Sequence, residues 1–272
     1  MQKPFYILLV CLTIIASEAS PQNYTGGARS AALSNAFVSI SDTWSTFHNQ
    51  ATLAQLNTFS AGVYYESKYG IDDFALAASS VVLPTGAGTF GLSFYQFGKE
   101  TFKEHKIGFA YAKQLSERFN AAIQFDYLSQ RMPENADAFS FVTFEVGATY
   151  QLNEQITLGA HSYNPVKNGF NYPKEKIKLP AVYRLGAHYA FDEHVLVSLE
   201  TQKESDRDAV VRSGLEFMPL ENLALRFGIS GRPVQYTAGL GYSLKNISTD
   251  IAFSYHGNLG FTPSVSVQYQ LK

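Results

Sequence analysis

The sequence predicts an all-β fold, a single transmembrane antiparallel β-barrel of about fourteen strands with an N-terminal small-residue plug inside the lumen. Three observations predict it. From Thr58 onward nearly every segment alternates apolar and polar residues and then turns. The polar faces carry Gly, Ser, Ala, Thr and Gln, where a water-facing sheet would show Lys and Glu. Hydrophobic residues make up 46% of the chain while the mean hydropathy is only -0.09. That balance suits a wall in which each lipid-facing residue is followed by a lumen-facing one.

Three regions follow in order. Residues 1–19 read as a secretory signal peptide: Lys3 gives the charged start, Phe5 to Ala16 the apolar core, and Ser17-Glu18-Ala19 a small-x-small cleavage site. The apolar run is too short to span a bilayer, and it contains Cys11, the one cysteine of the chain. Residues 20–57 are a polar lead followed by the segment from Ala28 to Leu56, rich in Ala and Ser and punctuated by Leu33, Phe37, Trp44 and Phe47. Small residues let a backbone press close against another surface, so this stretch is expected to fill the barrel. Residues 58–272 form the barrel itself. Strands are expected over 58–68, 73–83, 88–98, 105–115, 119–130, 139–152, 155–164, 180–191, 194–203, 209–218, 222–230, 234–245, 248–256 and 262–271. Each is close to the 9–11 residues that a tilted strand needs to cross a membrane.

The faces and turns support that count. In the fifth strand Phe119, Ala121, Ile123, Phe125 and Tyr127 oppose Asn120, Ala122, Gln124 and Asp126; in the eighth, Tyr183, Leu185, Ala187 and Tyr189 oppose Arg184, Gly186 and His188. Even strands end in tight turns such as Pro84-Thr85-Gly86 and Asp192-Glu193-His194, whereas several odd strands lead into longer links, the longest from Lys167 to Leu179. Short turns on one side and longer loops on the other are the asymmetry of an outer-membrane barrel with both termini periplasmic. Tyrosines such as Tyr65, Tyr127 and Tyr189 could form interfacial girdles or simply reflect strand propensity. An exported soluble β protein would share the alternation and is the third reading.

The residues Ala28-Arg29, Ser34-Asn35-Ala36-Phe37-Val38, Asp42 and Phe47-His48-Asn49-Gln50-Ala51-Thr52-Leu53 resemble the opening segment of the long-chain fatty-acid transporter (FadL) superfamily. The nearer likeness is to its PorV/PorQ-like branch, associated with type IX protein secretion. Gln50 stands where the family usually has proline. The resemblance implies a 14-stranded barrel in the outer membrane, with this segment folded inward as a plug or hatch that uses Arg29, Asn35, Asp42, Phe47, Asn49, Gln50 and Ala51. It offers two functions. PorV/PorQ-like members act as non-enzymatic partners in the export or surface display of proteins; FadL-like members pass small hydrophobic molecules sideways through the wall. Only Lys167–Leu179 is a sizeable outer loop, with Phe170 and Tyr172 as its aromatics and Lys167, Lys174, Lys176 and Lys178 making it basic. Apolar ligand pockets need enclosing walls, so this compactness favours the partner role. A gap in the wall at Gly88 and Gly91 would favour transport.

Among charged residues, Arg184, Glu200, Arg212, Glu216 and Arg226 fall on the polar faces of strands eight to eleven. Pairing across the tight turns is expected to set Arg184 opposite Glu200 and Glu200 opposite Arg212. The ladder reads either as cross-bracing of the lumen or as an anchor for Asp42 or Arg29. No cofactor is expected, and no metal-ligand spacing occurs among the scattered histidines. His161 and His188 are expected to face the lumen at different heights, and His256 has only Ser254 and Asp250 beside it. No nucleophile, base and orienting group come together. The net charge of -2, without a Lys/Arg block, excludes a nucleic-acid surface. The expected partners are membrane lipid, envelope or secretion proteins, and in the transport reading a hydrophobic small molecule.

Overall fold

The computed structural model describes residues 24–99, 102–131, 138–172 and 176–271. The expected signal peptide, Lys174 and Lys272 lie outside the described residues. Fourteen strands close into one antiparallel barrel: β1 (Ser60–Ser67), β2 (Ala75–Thr85), β3 (Gly88–Phe97), β4 (Lys103–Ser116), β5 (Phe119–Arg131), β6 (Phe139–Gln151), β7 (Ile156–Tyr163), β10 (Val182–Ala190), β11 (Val195–Glu204), β12 (Val210–Leu220), β13 (Leu223–Ser230), β14 (Gln235–Leu244), β15 (Ile247–His256) and β16 (Gly260–Gln270). β1 pairs with both β2 and β16, so the sheet has no free edge. Every expected strand is present, with ends within two residues of those read from the sequence. Two short strands were not foreseen: β8 (Gly169–Asn171) and β9 (Lys176–Lys178) form a separate hairpin inside the longest loop.

The wall inverts the burial order of a soluble sheet. Outward positions are apolar and open: Val63, Leu185, Phe227, Tyr236 and Phe261 are each more than half exposed. Inward positions are polar and buried, among them Ser80, Gln124, Asp126, Glu145, Ser198, Glu200 and Ser266. Two stacked sheets would bury the apolar faces between them; a closed cylinder with polar groups inside does the reverse, which is the order a lipid environment requires. A closed barrel of this polarity does not support the third reading, an exported soluble β protein.

The polar interior is packed because residues 24–57 run through it. Helix α1 (Ala28–Ala32) lies against β13 to β16, the 3-10 turn Thr43–Phe47 against β1 to β3, and a second 3-10 turn, Gln50–Gln55, against β3 to β6. The small residues of this segment meet small residues of the wall. A Cβ added at Gly239 would stand 2.5 Å from Ala32 Cβ, and one at Gly159 only 2.3 Å from the Val38 carbonyl oxygen. Glycine at these two sites is what lets the backbones approach. Leu33, Phe37, Trp44 and Leu53 are fully buried across the middle of the lumen.

Candidate functional site

The segment is held by apolar packing and by charged and hydrogen-bonded contacts to the wall, and three wall glutamates supply the polar fixed points. Glu216 on β12 accepts from Arg29 Nε at 2.9 Å and Nη2 at 2.7 Å. Glu200 on β11 accepts the backbone N–H groups of Phe37 and Val38 at 2.9 and 2.8 Å. Glu145 on β6 accepts from the side-chain amide of Gln50 at 2.9 Å. Each glutamate is also paired within the wall. Arg226 bridges Glu216 and Asp250; Lys106 lies between Glu145 and Asp126; Arg184 and Arg212 flank Glu200 at 3.9 and 4.0 Å. Each of the three carboxylates thus meets the segment with at least one cation beside it; at Glu200 one oxygen takes both N–H groups and the other faces the arginines without a hydrogen bond.

The register within the ladder differs from the expectation. Glu200 does stand across from Arg212, but Arg184 faces Gln202, and Gly186 faces Glu200. The cause is the β10–β11 turn. Asp192 Oδ1 accepts the N–H groups of His194 and Val195, and Phe191 N donates to Val195 O. This closes a three-residue turn whose centre is displaced by one position, which slides the pairing by two.

Within the segment, Asp42 caps the first 3-10 turn, accepting from Trp44 N at 2.7 Å, and sits 3.5 Å from Arg29 Nη1. Burial pushes its carboxyl up to about 6, against the opposing pull of Arg29. Asn49 ties three strands of chain together: its Nδ2 donates to Val38 O and to Ala148 O on β6, and its Oδ1 accepts from Ala51 N. Gln50 uses its amide to bridge Thr46 O and Glu145, a contact that proline could not make. Phe47 packs beside Trp44. Asn35 is placed apart, at the outer mouth, where Thr25 donates to it. His48 donates from Nε2 to Gly26 O, and burial together with Arg184 holds its imidazole well below the usual range, in the neutral form.

Lys106, Asp126, Glu145 and Asp250 stand outside the expected ladder, although the alternation already places Asp126 on an inward face and Asp250 beside His256. Lys106 shares the inward face of β4 with Glu104, while Asp126, Glu145 and Asp250 are each the one carboxylate on the inward face of their strand, and that was the available signal. The three histidines weighed in the sequence have these partners. His161 Nε2 meets Glu145 at 2.8 Å, His188 Nδ1 meets the Ser39 hydroxyl at 3.1 Å, and His256 Nδ1 accepts from the Asn258 and Leu259 N–H groups of its own turn. Among the described residues no carboxylate hydrogen-bonds His188.

The two ends of the barrel differ. At the outer end Phe170 and Leu179 fold inward onto Leu128 and Phe141, covering one side of the mouth. Asn164, fully buried, fixes this lid: it accepts from Thr143 Oγ1 and Asn168 N, and donates to Asn168 O and Leu179 O. The other side is an open polar cavity of about 540 Å³ bordered by Asn35, Glu66, Lys68, Tyr69, Arg212 and His256. At the inner end a cavity of about 430 Å³ lies between Leu56 and the β2–β3 turn. The wall between them is unbroken at β3. Its ladder runs without a shift from Gly88 to Phe97 on the β2 side and from Thr89 to Phe97 on the β4 side. The position of Gly91 is covered from within by Leu53 and Thr46.

No family model matches the chain, and no curated protein matches it. Solved structures do. The toluene transporter TodX of Pseudomonas putida aligns with a TM-score of 0.65 at 13% identity, over 90% of this chain and 98% of that one. A Pseudomonas aeruginosa FadL homologue gives 0.66 at 14% identity, over 92% and 99%. The toluene transporter TbuX of Ralstonia pickettii gives 0.63 at 13% identity, over 85% and 94%. At such identities the likeness speaks for architecture: this chain has the fold of the FadL-type barrels.

Proposed function

We propose that the chain is an outer-membrane barrel whose lumen is kept shut by residues 28–56, and that it serves as a non-enzymatic partner in the export or surface display of proteins. The observation that carries this reading is the filled lumen: three wall glutamates hold the segment, and the β3 ladder beside it has no lateral break. A conduit for hydrophobic molecules needs an apolar passage, whereas the outer cavity here is bordered by Glu66, Lys68, Arg212 and His256. The resemblance of the opening segment to the PorV/PorQ-like branch points the same way.

A second reading, a channel for small hydrophobic molecules, is favoured by the shared fold with barrels described as toluene transporters. One pair of measurements separates them. The protein reconstituted in planar bilayers and in toluene-loaded vesicles is expected to show neither steady conductance nor accelerated toluene flux, while mild-detergent extraction from native membranes brings down large envelope proteins in fixed proportion. Protein-dependent toluene flux, with the barrel extracted alone, would replace the first reading with the second.

A further inference from the structure

Charges are scarce on the lipid-facing side of the barrel, so a group of them there needs a reason. Lys103 begins β4 and Arg131 ends β5, and the two are directly paired across the ladder at the outer end. Both belong to the outward set: their strand neighbours Glu104 and Gln130 are buried inside, and Arg131 is exposed. His105, two residues along the same outward face, bonds Gln96 at 3.1 Å and stacks near Phe94. Among the described residues no carboxylate lies within ion-pair distance of Lys103 or Arg131. Like charges set directly opposite each other are unfavourable, and the edge of a bilayer deepens the cost. Immediately below them the same outward face turns apolar, with Phe94, Ile107 and Tyr127 exposed.

We propose that this corner of the barrel binds the phosphate of an outer-leaflet lipid. The ligand must meet two demands at once: a multiply charged, bidentate acceptor at the level of Lys103 and Arg131, and acyl chain beside Ile107 and Tyr127. A phosphorylated glycolipid meets both. A planar guanidinium with an ammonium opposite it suits a phosphate dianion, and Phe94, Ile107 and Tyr127 lie four strand residues lower, about 13 Å along the wall. A soluble anion would use the cations and ignore the apolar face. An acidic protein segment would have to enter the acyl layer to touch Ile107.

This inference rests on the outer-membrane reading but fails separately from it. The protein is assembled in phosphatidylcholine nanodiscs doped with bis-phosphorylated lipid A or with its dephosphorylated form, and the bound glycolipid is counted by native mass spectrometry. The wild type is expected to retain the phosphorylated form selectively. The Lys103→Gln/Arg131→Gln double variant should lose about thirtyfold in retention, taking each surface cation at its usual worth. Lys203→Gln, an outward cation elsewhere on the rim, should lose far less. Inorganic phosphate in excess should not displace the lipid. Unchanged gel migration before heating shows that the double variant is folded. Equal retention of the two glycolipid forms, equal retention by wild type and double variant, or displacement by inorganic phosphate would overturn the proposal. Failure to enter nanodiscs at all would instead overturn the membrane reading.

Discussion

Replacing Arg29 with methionine tests how residues 28–56 are held. Arg29 gives Glu216 two charge-assisted hydrogen bonds and stands 3.5 Å from Asp42. Methionine keeps much of the stem and removes the fork. Glu216 is not orphaned by the change, because Arg226 still donates to it; Asp42 keeps the Trp44 N–H but loses its one cation. Breaking one side of a buried pair costs about 3–5 kcal/mol. The surviving Arg226 contact places the cost at the low end, about 3 kcal/mol, which raises the unseated population roughly a hundredfold. The carboxyl of Asp42 sets the pH dependence. Burial lifts it from 3.8 to about 6 in the seated segment, so seating binds a proton that the released segment does not. Its seating is therefore favoured below about pH 4 and weakened as pH rises through about 6. Without Arg29 the carboxylate loses its cation, so the deficit of the variant is largest at pH 8 and shrinks toward pH 5. Hydrogen–deuterium exchange of residues 28–56 in micelles, corrected for intrinsic rates, reads both effects. Glu216→Gln should loosen the same residues, and the double variant should cost less than the two single changes added together. Wild-type protection in the methionine variant at pH 8, or a deficit that grows on acidification, would refute the reasoning.

Three further outcomes are expected. Asn164→Ala removes four hydrogen bonds from a buried residue with φ of 49°; it should cost about 2–3 kcal/mol and deprotect residues 166–172 and 176–179 in the same exchange experiment while leaving β7 intact. Gly159→Val drives a side chain against the Val38 carbonyl; exchange at residues 36–40 should rise at least about tenfold, a cost of about 1–3 kcal/mol, with unheated gel mobility unchanged. Leu185→Lys, at an outward site 64% exposed, should cost about 2–4 kcal/mol in urea titrations of vesicle-folded protein, whereas in a water-facing sheet it would be within about 0.5 kcal/mol of neutral.

The wall was legible because lipid on one side and a crowded polar lumen on the other enforce a period of two, as in Phe125-Asp126-Tyr127. Strand ends followed from the same alternation stopping at turn residues. The ladder was only half legible. Inward placement of Arg184 and Glu200 came from the period, but their register depended on whether Asp192 caps a three-residue turn, which a one-letter pattern does not show. The grouping of Lys106, Asp126 and Glu145 escaped because they are far apart in sequence and become neighbours only when three strands are paired. Asn164 looked like an ordinary strand end, yet its positive φ turns its amide into the mouth, where it holds both sides of the lid. Gln50 shows what the period could not: the residue in the place of proline exchanges a backbone restraint for a hydrogen bond to the wall.

The pairing within the wall bears on what the segment is for. If Arg29, Gln50 and the Phe37–Val38 amides were withdrawn, Glu216 would keep Arg226, Glu145 would keep Lys106, and Glu200 would keep the flanking Arg184 and Arg212. Glu216 would lose two donors and keep Arg226, Glu145 would lose one, and Glu200 would lose both of its hydrogen bonds while keeping two arginines at 3.9 and 4.0 Å; each carboxylate retains a cation, which limits the penalty on the wall. The rest falls on the segment, through Asp42 and the apolar side chains of Leu33, Phe37 and Trp44 that would meet water. Wall residues such as Tyr64, Leu76 and Tyr95 would also lose their contacts with Trp44 and Phe47, but the charge balance predicts that the barrel stands without its filling. Deleting residues 28–56 should leave a barrel that still migrates as folded before heating and that now conducts ions through a lumen lined by Ser, Gln, Glu and Arg. If that deletion prevents folding altogether, the segment is core and not occluder, and a closed lumen says nothing about function.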